Sequence, residues 1–256
     1  MLNKRNTQTR RHQIVKTLED QGETSVEQFS RMFETSEVTI RKDLAALEGD
    51  GLVLRRHGGA ILMPTENLVS DHNVSNRKKG LGELAASLVQ DHDRIVIDSG
   101  STTGQMLKAL GQKRGLVVMT NSLQIAHDLL ELEREPTVLM TGGTWDTQSH
   151  SFQGAMAEKI LRSYNFDKAF IGAAGLDIER GTTTYNELIQ LTSVMAEVSR
   201  EVIIVAESQK FSHKMPNLEL PWSKIDKLIT DNDISANLTA RLRKFEVEVL
   251  LSDITN

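Results

Sequence analysis

At 256 residues, with 25% of them charged and a formal net charge of −5, the chain exceeds a single small binding unit and is too acidic overall to be coated in nucleic acid. It has no cysteine, which removes disulfides, thiolate nucleophiles and cysteine-based zinc sites, and its seven histidines include no pair at metal-ligand spacing. No apolar run approaches the ~20 residues that span a bilayer, and the N-terminus lacks the apolar core of a signal peptide, so a cytoplasmic location without membrane contact is expected.

Ile14, Val15 and Leu18 give Arg10 to Gln21 helical spacing, and Gly22 is its stop. Ser25 opens a second helix whose apolar residues Val26, Phe29, Met32 and Phe33 recur at three and four. Glu34 to Glu37 leaves room only for a tight turn. Ser36 then caps a third helix, Ser36–Glu48, in which Ile40, Leu44 and Leu47 share a narrow apolar arc. Lys42 lies opposite, with Val38 beside it and Thr39 and Arg41 on the flanks. Small, methyl-bearing and cationic side chains on one face can reach phosphates and base edges without filling a groove. After Gly49-Asp50-Gly51, Leu52 to Leu62 reads as two short strands around a basic turn containing Arg55, Arg56 and His57, which makes a wing. Lys4, Arg5, Arg10, Arg11 and Lys16 precede the first acidic residue and add positive potential to this end.

Met63 to Asn76 lacks periodicity and reads as a linker. Beyond it a helix is expected at Arg77–Val89, a strand at Arg94–Asp98 and a helix at Thr103–Leu110. Strands follow at Leu116–Thr120, Thr137–Met140, Lys168–Ile171, Glu201–Ala206 and Lys227–Thr230, with helices between most of them. This alternation predicts an α/β domain with a mostly parallel sheet, in which ligands collect beyond the carboxyl ends of the strands. Three strand ends are rich in small and hydroxylated residues: Asp98-Ser99-Gly100-Ser101-Thr102-Thr103, Thr120-Asn121-Ser122 and Thr141-Gly142-Gly143. Each offers backbone N–H groups and hydroxyls with little bulk, which suits a phosphate. Trp145 and Trp222 have no basic or aromatic companions at useful spacing and are expected to serve packing.

Arg10, Ile14 and Leu18, followed by Ser36, Thr39-Ile40-Arg41-Lys42-Asp43-Leu44 and the wing sequence Arg55 to Gly59, resemble the signature of the DeoR family of bacterial transcriptional regulators. The second half resembles that family's C-terminal domain, whose fold is similar to the ribose-5-phosphate isomerase-like sugar-phosphate fold. The resemblance is carried by the three loops together with Ser151 to Gly154, Phe166 to Lys168, Gly172 to Asp177, Thr184 to Glu187 and Ser208 to Phe211. Glu207 departs from it, since the family more often has Asp there.

The resemblance implies a winged helix-turn-helix at 8–63, a linker at 64–76 and an effector-binding and oligomerisation domain at 77–256. On the DNA side the candidates are Arg10, Ser25, Ser36, Val38, Thr39, Arg41, Lys42, Arg55, Arg56 and His57. On the effector side they are Asp98, Ser99, Gly100, Ser101, Thr102, Thr103, Thr120, Asn121, Ser122, Gly142, Gly143, Asp177, Glu187 and Lys210. The first loop and Lys210 would face a phosphate, and Asp98, Asp177 and Glu187 would sit near the sugar. No catalytic residue, metal or cofactor is assigned. The expected partners are double-stranded operator DNA, a small phosphorylated sugar and further copies of the chain, as a dimer or tetramer.

Within the family the sequence most resembles the regulators for glucitol, galactitol and N-acetylgalactosamine, which implies a repressor of a sugar or sugar-alcohol operon. The alternative is a sugar-phosphate isomerase-like enzyme with a fused DNA-binding domain, since Asp98, Asp177, Glu187 and Lys210 supply acid, base and cation. Fold similarity alone does not transfer chemistry, and the fused DNA-binding unit makes a sensor sufficient.

Overall fold

The computed structural model describes residues 3–49, 52–56, 58–62, 75–147, 149–184, 190–213 and 215–253. They fall into two units, 1–65 and 66–256. In the first, α1 (Asn3–Gln21), α2 (Val26–Met32) and α3 (Glu37–Gly49) surround one small core, joined by β1 (Thr24–Ser25) and closed by the wing strands β2 (Val53–Arg56) and β3 (Gly59–Leu62). The three strands lie in the order β1-β3-β2 and are all antiparallel. Ser25 caps α2 in a reciprocal capping box with Gln28. Gly58 holds φ at 86°, and its carbonyl accepts from Val26 N at 2.7 Å, which ties the wing turn to the start of α2.

The core of this unit comprises Ile14, Leu18, Val26, Phe29, Ile40, Leu44, Leu47, Val53 and Ala60. Each of the large side chains contributes about 1.5–3 kcal/mol relative to exposure. Met32, which has the right spacing for this core, is instead 46% exposed, and Phe33 is half-buried, stacked on Phe29. α2 ends at Met32, so a face continued from Phe29 runs out of helix at that point.

The second unit opens with α4 (Asn76–Ser87), capped by Ser75. The chain then alternates through β4 (Arg94–Ile97), a 3-10 turn at Thr103–Met106, α5 (Leu107–Leu110), β5 (Val117–Thr120), α6 (Leu123–Leu130) and β6 (Thr137–Met140). A hairpin of β7 (Thr144–Asp146) and β8 (Ser151–Gln153) leads into α7 (Ala155–Leu161) and β9 (Phe166–Ile171). Then come β10 (Gly175–Asp177), β11 (Gly181–Thr184), α8 (Gln190–Glu197), β12 (Ser199–Val205), β13 (Asn217–Pro221), β14 (Lys227–Asp231), α9 (Ala236–Leu242) and β15 (Glu248–Ser252). Seven strands form one parallel sheet in the order β15-β14-β12-β9-β4-β5-β6.

Alternate residues of these strands feed two cores. Ile95, Ile97, Phe170, Ile203, Val205 and Ile229 pack with Leu81, Leu107, Leu110, Ile125 and Leu129 from α4, α5 and α6. Val96, Ala169, Ile204 and Leu228 pack with Leu161, Val194, Met195 and Leu242 from α7, α8 and α9. Continuous apolar runs are what a sheet covered on both faces requires.

Sequence spacing missed β15 and the antiparallel sheet β10-β11-β13, whose members are three to five residues long. Trp222 is buried and stacked with Phe211, as expected for a packing residue, whereas Trp145 is 39% exposed and meets Phe152 edge-on.

Candidate functional sites

In the first unit the site is built on α3. Ser36 Oγ accepts from Thr39 N at 3.2 Å and holds the Thr39 hydroxyl at 2.9 Å, so the helix start is capped from its own exposed face. With Ile40, Leu44 and Leu47 turned inward, Val38 is left 59% exposed, and Arg41 and Lys42 are exposed beside it. Arg41 pairs with Glu37 at 2.7 Å one turn earlier, both side chains being about half in solvent. Such pairs are worth only ~0.3–0.5 kcal/mol, so a phosphate can displace Glu37 at small cost.

Arg55 grips Glu48 with its Nε at 2.6 Å while its backbone N donates to the same carboxylate at 3.1 Å, which fastens the wing to the end of α3. Arg56 follows it, half-buried. His57 lies outside the described residues. Ser25 is engaged in capping α2. Arg10 is not laid out on the surface: its Nε meets Asp43 Oδ2 at 2.6 Å, Arg11 meets Oδ1 at 3.0 Å, and Asp43 is almost fully buried. This triad locks α1 to the inner side of α3, and Asp43 is a residue that local spacing gave no reason to single out.

In the second unit the strand order supplies the site. From β4 the chain moves to β5 and β6 on one side, and from β9 it moves to β12, β14 and β15 on the other. β4 and β9 are therefore the pair at which the winding reverses, the place where open parallel sheets take their ligands. Asp98 sits at this seam. Its Oδ1 accepts from Gly100 N at 3.0 Å and Thr103 Oγ1 at 2.7 Å, and its Oδ2 accepts from Gly172 N, beyond β9, at 2.7 Å. A Cβ on Gly100 would stand 3.1 Å from Asp98 Oδ1, and one on Gly172 3.4 Å from Oδ2. The first is tighter than ordinary contact, so the β4 loop is thin where it passes the carboxylate, whereas the second is ordinary van der Waals contact. Burial raises the Asp98 carboxyl above the ordinary range, against three hydrogen bonds that favour its ionised form.

Around this floor stand the other strand-end residues. Ser99, Gly100 and Ser101 are half-buried, and Thr102 and Thr103 are buried. Thr120 Oγ1 accepts from Ser122 N at 3.1 Å, Ser122 Oγ caps α6 through Ile125 N, and the buried Asn121 Oδ1 has no hydrogen-bond partner among the described residues. Gly142 and Gly143 hold φ at 60° and 114°, and a Cβ at Gly143 would lie 2.5 Å from the Gln153 carbonyl oxygen.

Lys210, on the short 3-10 turn after β12, is 7% exposed, and the turn packs against β10. Glu207 just before it is buried, accepting from Ser75 Oγ and Gln209 Nε2, each at 3.3 Å, so its longer side chain links the end of β12 to the cap of α4. Asp177 is engaged in a turn, its Oδ1 accepting from Glu179 N at 2.9 Å and Arg180 N at 3.2 Å. Glu187 lies outside the described residues.

Two residues here escaped sequence reasoning. Lys78 on α4 reaches Ser101 Oγ at 3.1 Å. One turn later Gly82 allows the helix this close, since a Cβ there would stand 2.5 Å from the Gln105 carbonyl carbon. Glu219 on β13 accepts from Thr192 Oγ1 of α8 at 2.9 Å and, more weakly, from Thr182 Oγ1 of β11 at 3.4 Å. Burial pushes Glu219 up to about 7 against the pull of these hydroxyls, and the Asp98 charge adds to the rise. In the sequence Asn217-Leu218-Glu219-Leu220-Pro221, Glu219 looks like the solvent side of an alternating strand, so only tertiary placement reveals it.

Among the described residues there is no group of three or more His, Asp or Glu that could hold a metal ion, and no helix is long and apolar enough to cross a membrane.

A three-helix unit with a wing and an exposed cationic helix face, followed by an α/β unit whose parallel sheet reverses its winding between β4 and β9, defines a DNA-binding transcriptional regulator with a sensor domain. The chain belongs to the DeoR family: residues 10–66 match the DeoR-like helix-turn-helix domain and residues 73–232 the DeoR C terminal sensor domain. It is 37% identical over 253 residues to a putative aga operon transcriptional repressor of Escherichia coli O157:H7, covering 96% of this chain and 94% of that protein. It is 29% identical over 249 residues to the transcriptional repressor AccR of Agrobacterium fabrum, covering 93% of this chain and 96% of that one. These names are those of regulators, not enzymes. Among solved structures, ribose 5 phosphate isomerase A from Neisseria gonorrhoeae is 16% identical, with a TM-score of 0.38 and 52% of each chain covered, too partial a likeness to carry an argument.

Proposed function

We propose that the chain represses an operon for the use of a sugar or sugar alcohol and is released from its operator by a phosphorylated sugar bound beside Asp98. The observation that carries this is the Asp98 brace: one carboxylate ties the loops leaving β4 and β9 together, with the half-buried Ser99–Ser101 segment beside it and Lys78 against Ser101. Hydroxyls, backbone N–H groups and a lysine at a thin loop suit a phosphate. On the DNA side, α3 enters a major groove with Val38, Thr39, Arg41 and Lys42 foremost, Ser36 at its start, and Arg55 and Arg56 of the wing on phosphates. Two copies, or four, read repeated half-sites. Release requires that the sugar phosphate bind the DNA-free arrangement more tightly, since equal affinity for both would shift nothing.

Operator fragments titrated with the full chain, with and without a panel of sugar phosphates, test this. At least one sugar phosphate should weaken operator binding and raise the melting temperature, and Lys210→Ala should blunt both effects. Failure of every phosphorylated sugar to do either would remove the effector from the account and leave the DNA-binding regulator.

A further inference from the structure

We propose that Val38 is a base-reading residue: it takes the 5-methyl group of a thymine in each operator half-site, while Arg41 and Lys42 beside it hold the two DNA backbones. This deepens the DNA-binding reading above and rests on α3 entering a major groove. The first ground is the order of residues around α3. At about 100° per residue, the buried Ile40, Leu44 and Leu47 fall within about 60° of one another. Val38 lies about 150° from the middle of that arc, and Ala45, two turns on, lies within about 20° of Val38. Both are exposed. Arg41 stands about 60° to one side of Val38 and Lys42 about 40° to the other, also exposed. The outermost line of the helix is therefore apolar, and cations border it on both sides.

The second ground is the choice of valine at this place. Val38 is 59% exposed in the first turn of α3 and is absent from the apolar cluster of its unit. A β-branched side chain on an exposed helix position weakens the helix relative to alanine, and its methyl groups meet water. Folding gains nothing from it there, whereas a groove floor with a methyl group does.

The third ground is where the neighbouring polar groups turn. Arg41 reaches back to Glu37, which lies farther round the helix from Val38, and the Thr39 and Ser36 hydroxyls meet each other at 2.9 Å on the opposite flank. Both pairs draw their polar atoms away from the apolar line.

Of the four bases, only thymine presents a methyl group in the major groove, and a small aliphatic side chain meets it without stranding a donor or acceptor. A cytosine in that place would set its amino group against the valine with no acceptor. A groove about 12 Å wide has a backbone on either side of an inserted helix, where Arg41 and Lys42 lie, and Ala45 adds little bulk to keep the helix out.

The test begins by selection: duplexes with a random central segment are passed repeatedly over the full chain, and the enriched sequence gives the half-site. Each thymine is then replaced in turn by deoxyuridine, which removes the 5-methyl group and keeps the base pair and the O4 acceptor. Affinities for parent and substituted duplexes are measured with the unaltered chain, Val38→Ala, Val38→Thr and Lys42→Ala. At one thymine or more in a half-site the unaltered chain should lose about fourfold, the worth of one buried methyl group. Val38→Ala should bind the parent duplex more weakly and bring that ratio close to one, and Val38→Thr, which keeps one methyl group, should retain part of it. Lys42→Ala should weaken binding to both duplexes alike and preserve the ratio. Because Val38 lies outside the core, its two variants should keep the melting temperature of the unaltered chain.

Indifference to deoxyuridine at every thymine overturns the proposal. So does a loss that stays the same size in Val38→Ala, which would assign the methyl effect to DNA shape; either result leaves a DNA-binding regulator in place. Failure of the selection to enrich any sequence removes operator recognition through α3 and this proposal with it.

Discussion

On α3, Arg41 meets Glu37 with both side chains about half in water, while at the winding reversal of the parallel sheet the half-buried Asp98 is held by three donors. The helix-turn-helix unit keeps its outward charges in pairs that cost little to exchange. The α/β unit has such exchangeable pairs too, Arg162–Glu197 among them, but at its winding reversal it holds Asp98 in a fixed position. A surface that meets a polyanion gains affinity by neutralising phosphates and releasing counterions, so exposed and exchangeable cations are what it needs. A crevice that discriminates among small ligands gains selectivity from groups that are costly to leave unmatched.

The first unit also contains one interior ion triad, Arg10-Asp43-Arg11, and it is the sharpest point at which to break this contrast. Asp43→Ala strands two arginines, one of them only 14% exposed, and should destabilise the helix-turn-helix unit by about 3 kcal/mol or more. Thermal denaturation followed together with operator binding checks this; an unchanged transition would mean that the triad is as exchangeable as the Arg41–Glu37 pair.

Next in size is Glu219. Its carboxyl titrates at about 7 in the folded chain against 4.5 as the ordinary value, so the folded state holds the proton more tightly. Its contribution is fully present below pH 4.5 and is lost as pH rises through 7, a change of order 2–3 kcal/mol. Asp98, raised in the same sense, adds to that slope, while the facing Thr192 and Thr182 do not titrate. Glu219→Gln should therefore flatten the decline of melting temperature between pH 5 and 8 in the ligand-free chain, and an unaltered decline would show that Glu219 is not desolvated.

On the DNA side the effects are smaller and depend on salt. Lys42→Ala should weaken operator binding by about 1–2 kcal/mol across all sequences and reduce the slope of log affinity against log salt by ~1. An unchanged slope would remove Lys42 from the phosphate contacts. Smallest of all, Glu37→Ala should change stability by no more than ~0.5 kcal/mol while leaving operator affinity equal or slightly higher, because it frees Arg41. A fall in affinity would instead show that Glu37 positions Arg41 for the groove.

Much of the first unit was legible because its information is local. Ser36, Ile40, Leu44 and Leu47 lie within twelve residues, and a single helical period relates cap, core and exposed face. The same holds for the parallel strands, whose apolar runs mark them as covered on both sides. What escaped was held by distance along the chain. Arg10 and Asp43 are 33 residues apart, Asp98 and Gly172 74 apart, and Thr182 and Glu219 37 apart, and no period links them. Asp98, Ser99 and Ser101 could be picked out as a strand-end loop, but that Asp98 would bridge to Gly172 depended on the pairing order of the parallel strands, and the Glu219 partners on a sheet whose strands are too short to show alternation.

The bridge from Asp98 to Gly172 also limits how this protein can diversify. Because one carboxylate closes the seam and Gly100 lies tight against it, a side chain at position 100 would press on Asp98 and Thr103 and strain the brace. New ligand preferences arise more readily beside the seam, from α4, where a change at Lys78 leaves it closed. In a lineage of such regulators the seam would record shared descent, and its surroundings would record what each member has learned to detect.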